Sequence, residues 1–173
     1  MQLKYPAALI GAVSALALIL TPASALAHDG GGGDNVIRAD LTPSTPTDPP
    51  IDGVGPGAKP WILGRGEVRV RESGRMDVRI EGLQIPAPFV DPTHDVNPVA
   101  NIHAVLYCGG AFAADSGSRP MSVPQGDARF RVSLTVPKTC ADAVVLIQPD
   151  SAATPGTRVN AYIASALMSD DED

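Results

Sequence analysis

The chain is predicted to be all-β, a single antiparallel β-sandwich of about seven to eight strands behind a disordered N-terminal linker. Three observations predict it. From Trp61 to Leu83, apolar and charged residues alternate on both sides of a Gly-containing turn: Val68 and Val70 before it, Met76, Val78 and Ile80 after it. That is the pattern of a hairpin with one buried and one wet face. No segment sustains a 3.6-residue apolar period between caps, so helices are not expected. Short strand-like runs recur instead between Pro- and Gly-containing turns as far as Ser165.

Residues 1–27 have the three parts of a secretory signal peptide. Lys4 supplies the positive start, Ala7 to Leu20 an apolar run, and Ala25-Leu26-Ala27 a small-x-small cleavage site. The apolar run is shorter than the ~20 residues a spanning helix needs. The mature chain is therefore expected to begin near His28, to be exported, and to make no stable membrane insertion. Residues 28–58 are rich in Gly, Pro, Thr and Asp, with scattered apolar positions, and are read as a disordered linker. Within it, the run Thr42 to Pro50 also has a composition that accepts O-glycans.

The folded domain is expected over 59–168, with an acidic tail over 169–173. Trp61 to Arg71 and Arg75 to Leu83 form the hairpin, and Ala100 to Cys108 the next strand, ended by Gly109-Gly110. Ala111 to Asp115 and Met121 to Val123 are short strand candidates. Asp127 to Val136 alternates without a fault, with Ala128, Phe130, Val132, Leu134 and Val136 inward. Ala143 to Gln148 is apolar on both faces, as a central strand covered on two sides would be. Val159 to Ser165 is the last strand.

The hairpin register follows from parity and charge. A two-residue turn at Ser73-Gly74 would set Val70 across from Asp77, a buried side chain opposite a solvated one. Pairing Val70 with Val78 stacks Arg69 on Arg79 and Glu67 on Glu81. Pairing Val70 with Met76 instead sets Arg69 across from Asp77, Glu67 from Arg79 and Arg65 from Glu81. Unlike pairs stabilise by a few tenths of a kcal/mol each and like pairs cost as much. The second register is therefore expected, over a Glu72-Ser73-Gly74 loop with Gly74 left-handed.

The two cysteines, Cys108 and Cys140, both lie in the domain, and export favours their pairing. Such a bridge stabilises by about 3–4 kcal/mol on the chain-entropy model. The formal charge of −6 is unevenly placed. Residues 28–58 carry −4 and Asp170 to Asp173 another −4, whereas 59–169 hold 11 basic and 10 acidic side chains. With no basic stripe and few aromatic residues, nucleic-acid binding is not expected.

No constellation of reactive side chains stands out. Asp115-Ser116-Gly117-Ser118-Arg119-Pro120 is similar to the nucleophile segment of chymotrypsin-like proteases. It departs from that segment at Ala114 and by an extra residue before the Pro, and the chain is too short for two barrels, so a turn is expected. His28, freed as an N-terminus, has the makings of a copper-chelating histidine brace, with His94 or His103 to complete it. Gly30 to Gly33 would detach it from the domain. The loop Ile85 to Val99 gathers Asp91, His94, Asp95 and Asn97, a candidate ligand loop without the spacing of a Ca²⁺ motif. The outward charges Arg65, Glu67, Arg69, Arg71, Asp77, Arg79, Arg129 and Arg131 form either a solvated face or a polar binding face suited to carboxylate or sugar-acid ligands. Because the register pairs the hairpin arginines with Glu67, Asp77 and Glu81, the ligand site is expected in the 85–99 loop.

From Trp61 on, the order of pieces resembles an uncharacterised family of small exported proteins from actinobacteria and relatives. The matching pieces are Trp-Ile-Leu-Gly-Arg-Gly-Glu-Val-Arg-Val, Gly-Leu-Gln-Ile-Pro, Ala-Val-Leu-Tyr-Cys-Gly-Gly, Gly-Asp-Ala-Arg-Phe-Arg and the Tyr-Ile-Ala close. The resemblance implies the fold and export, and no assigned activity. A looser likeness to chordin-type (CHRD) β-sandwich repeats lacks their paired-His strand, which here is Asn101-Ile102-His103. The expectation is an exported, non-catalytic binding or surface-interaction module without a cofactor, its partner a cell-envelope component or a protein. The alternative is a copper-binding protein using His28.

Overall fold

The computed structural model describes residues 34–168. The expected signal peptide, the start of the linker and the tail 169–173 lie outside them. Two sheets pack face to face. The first, in the order β1-β4-β5-β9, comprises Asn35–Asp40, Arg65–Arg71, Arg75–Glu81 and Ala128–Ser133. The second runs β2-β12-β10-β6-β7: Thr42–Pro43, Ala164–Leu167, Val144–Pro149, Asn101–Cys108 and Ala111–Asp115. β8 (Arg119–Pro120) extends it along β6 beyond the end of β7. All these pairings are antiparallel. The two-residue strands β3 (Gly55–Pro56) and β11 (Ala161–Tyr162) pair in parallel. No described residue is helical.

The hairpin has the expected register: Val70 faces Met76, Val68 faces Val78, and Arg69, Glu67 and Arg65 face Asp77, Arg79 and Glu81. Gly74 has φ +84°, and a Cβ there would stand 2.0 Å from the Leu134 carbonyl oxygen. The turn thus demands glycine twice, for its backbone conformation and for the close pass of the chain leaving β9. Val68, Val70, Met76, Val78 and Ile80 meet Ile102, Ala104, Leu106, Val145, Ile147 and Ala164 of the other sheet in the main core. β9 is an edge strand, so Phe130 and Val132 point inward yet are only half buried.

Cys108 and Cys140 form the expected disulfide. Several boundaries shift: β4 begins at Arg65 rather than Trp61, and β9 ends at Ser133 rather than Val136. The short strand expected at Met121 to Val123 is β8 instead, with the Met121 N–H closing on the Ala100 carbonyl. The last strand divides into β11 and β12 at Ile163, whose N–H bonds to Ile147.

The larger correction concerns the linker. Within 28–58, the described residues 34–58 belong to the domain. β1 pairs with β4, β2 with β12, and Ile37 and Leu41 are buried in the main core. Residues 44–57 cross the outer face of the second sheet, where Val54 packs with Val105, Tyr107, Val144, Leu146 and Tyr162. This strap is held by Ser44 Oγ donating to the Tyr162 carbonyl, Tyr162 Oη donating to the Pro49 carbonyl, and the Gly57 N–H donating to Tyr162. The two-faced apolar strand expected at 143–148 is covered as its composition requires, and the cover comes from the segment that showed no period.

Candidate functional site

The loop expected to hold a ligand uses its polar groups on itself. Asp91 Oδ1 accepts from the Thr93 N–H, the Thr93 hydroxyl and the His94 N–H. Those bonds hold the Asp91 carboxyl below its ordinary range. His94 is exposed, its Nδ1 2.6 Å from Thr93 Oγ1. Asp95 accepts from the Ala87 N–H. Asn97 is buried, its amide spent on Val99 and the Ser122 carbonyl. The structure therefore does not bring the four side chains together around one point.

His103 lies on the strand face opposite Ile102 and Ala104, and that face is closed: the residue is 3% exposed. Its Nδ1 is 2.8 Å from Asp115 Oδ1 and its Nε2 2.6 Å from Asp150 Oδ1. Both ring nitrogens can donate to carboxylates only as imidazolium, so the geometry is that of a charged Asp–His–Asp clamp. Asp115 also takes Arg158 and the Gly117 N–H; Asp150 takes the Ser118 hydroxyl and the Gly156 N–H. Burial pushes the Asp150 carboxyl up, but the bonds from Ser118, Gly156 and His103, with the histidine charge, hold it below its ordinary value.

The clamp ties β6 to the ends of β7 and β10. It leaves no nitrogen for a metal or for activating a nucleophile. Ser118 turns to Asp150, and Ser116 Oγ accepts from the Ala104 N–H as part of the turn expected there. Among the described residues, no three His, Cys, Asp or Glu side chains converge on one point where an ion could sit. His28 lies outside those residues. Sequence reasoning named His103 and missed its partners, because Asp115 and Asp150 stand 12 and 47 residues away.

An open concavity of about 630 Å³ lies on the solvent face of the first sheet. Parity and register place two rows there. Arg38, Arg69, Asp77 and Arg131 cross the strands in one, and Asp40, Glu67, Arg79 and Arg129 in the next. Arg71 and Arg75 lie toward the hairpin turn, Arg65 and Glu81 toward the other end. The face thus carries eight arginines against four carboxylates.

The register matches expectation, but the ion pairs do not follow it. Glu67 is taken by Arg38 of β1 at 3.1 Å, and Asp77 by Arg131 of β9 and by Arg75 at 3.3 Å. Glu81 is taken by Arg79 of its own strand. Burial raises the Asp77 carboxyl, but the Arg131 bond and the charges of Arg131, Arg75 and Arg71 outweigh it, and the net shift is downward. Arg69 donates to Asn35 Oδ1 at 2.6 Å. Among the described residues, Arg65, Arg69, Arg71 and Arg129 have no carboxylate within 4.0 Å. The arginines expected to be occupied are therefore partly unoccupied, because β1 and β9 supply competitors that the hairpin alone does not show.

Compared with known proteins, the chain matches no family model, no curated protein and no solved structure.

Proposed function

We propose that the chain is an exported, non-catalytic binding module that presents the solvent face of the β1-β4-β5-β9 sheet to a cell-envelope component. The observation that carries the reading is the concavity on that face, lined by charged side chains that rigid strands hold in place. Sites built on strands keep their geometry without paying to order a loop. The N-terminal leader and the Cys108–Cys140 bridge support an oxidising, extracytoplasmic address.

The test is to incubate the disulfide-bonded protein with isolated envelope polymers and soluble fragments of them. Saturable binding is expected, with the ligand recovered at unchanged mass. A ligand recovered cleaved or modified would overturn the non-catalytic reading, and no saturable binding to any fraction would overturn the reading as a whole.

A further inference from the structure

Resting on that reading, we infer that the concavity is a site for a linear acidic polysaccharide, whose carboxylates are taken by the guanidinium groups of Arg71 and Arg129. Both line it, and neither has a carboxylate within 4.0 Å among the described residues. The face itself shows which acceptor such groups take. Arg38 and Arg131 each turn Nε to a carboxylate, and Arg79 uses Nε and a terminal nitrogen on Glu81 together. Arg71 and Arg129 have no such acceptor: Arg129 is exposed, and Arg71 Nε is buried and unbonded. A buried donor without a partner carries a desolvation cost, which would be relieved if a bound carboxylate drew the Arg71 side chain outward.

The lining selects among anionic partners. A protein interface is anchored by aromatic or aliphatic side chains in desolvated pockets. Here the apolar contributors are only Val78 and Phe130, and both pack into the core. Single-stranded nucleic acid needs outward rings on which bases stack, and this face has none. A polymer of acidic sugars asks only for forks and hydrogen-bond donors.

The spacing sets a length. Arg129 sits in the row of Glu67, four residues along β4 from Arg71, and β4 and β9 are separated by β5. At about 3.4 Å per residue and 4.8 Å per strand, the two backbone positions lie about 17 Å apart. With both side chains standing out from the sheet, one sugar acid does not span that distance, whereas an oligomer does.

Isothermal titration of the full disulfide-bonded chain with polygalacturonate oligomers, galacturonate monomer, methyl-esterified polygalacturonate, polyphosphate and poly-glutamate tests this. Saturable binding of the oligomers is expected, weakening with added salt, with at least tenfold weaker binding of the monomer, the ester and the other two polyanions. Arg71→Gln and Arg129→Gln should each weaken oligomer binding roughly threefold to tenfold. Arg→Lys at either site, which keeps the charge and loses the fork, should restore only part. Circular dichroism and the urea midpoint establish that each variant is folded.

Equal binding of the ester, a preference for polyphosphate or poly-glutamate, or undiminished binding by the folded double glutamine variant would each overturn the inference. Binding of another envelope fraction in those cases leaves the binding-module reading standing. Loss of both would show as no binding to any fraction.

Discussion

Replacing His103 by alanine tests the Asp–His–Asp clamp. The side chain is 3% exposed and lies 2.8 Å from Asp115 and 2.6 Å from Asp150. Its removal leaves two carboxylates facing one another across the vacated volume, and the Asp150 side chain is only 10% exposed. Removing one partner of a buried ion pair costs about 3–5 kcal/mol. Arg158 still neutralises Asp115, while Ser118 and Gly156 still bond Asp150, so the low end, about 3 kcal/mol, is expected. With a urea slope of about 2 kcal/mol/M, the unfolding midpoint should fall by about 1.5 M.

The same clamp sets a pH dependence. The Asp150 carboxyl is depressed in the folded state. Its contribution is therefore present above the ordinary aspartate value, about 4, and is lost as pH falls through the folded value. The gap between wild type and H103A should narrow below that pH. Combining His103→Leu with Asp115→Asn and Asp150→Asn should recover much of the loss, since no unpaired charge remains. Urea unfolding at pH 7 and pH 3 measures all of this. A loss under about 1 kcal/mol for H103A, or an equal gap at both pH values, would refute the charged clamp.

Gly74→Ala should destabilise by more than about 2 kcal/mol, since φ +84° is strained for alanine and its methyl group would strike the Leu134 carbonyl; thermal unfolding reads it, and a change under 1 kcal/mol would count against the turn. Replacing both cysteines by serine opens a bridge of sequence separation 32 and should cost about 3–4 kcal/mol, measured by urea unfolding against the oxidised protein. Tyr162→Phe removes the hydroxyl bond to the Pro49 carbonyl and should cost about 1 kcal/mol, with faster amide exchange across residues 44–57. Burial, then the Asp48 carboxylate, raise the Tyr162 phenol, so its contribution is complete below the free tyrosine value, about 10, and is lost as pH rises through the folded one. The Phe variant should lose less stability than wild type in that alkaline window.

The hairpin was legible because its information is local. Alternation identifies the buried face, charge pairing selects among registers, and Gly74 supplies the turn. The disulfide was legible because two cysteines have one pairing. The strap was not. Along 34–58 only Ile37, Leu41 and Val54 are buried apolar side chains, with Val36, Ala39 and Ile51 partly buried beside them, and the chain between docks largely through backbone hydrogen bonds. Composition does not encode such bonds, and prolines that remove donors resemble those of a linker. The candidate loop is ambiguous for the opposite reason: Asp91, Asp95 and Asn97 are the residue types a ligand uses and equally those that close turns on themselves, as they do here.

By itself, then, the amino-acid order determined the fold class, the hairpin register, the two-faced character of the strand at 143–148, and an outward row of arginines. These depend on neighbours within a few residues or on side-chain parity. Tertiary structure decided which segment covers that strand, which carboxylates hold His103, and which arginines remain unpaired. Each of those depends on groups tens of residues away, as where β1 and β9 bring Arg38 to Glu67 and Arg131 to Asp77. Whether an arginine is spent or available depends on which carboxylates its neighbouring strands deliver, and only the assembled sheet settles that.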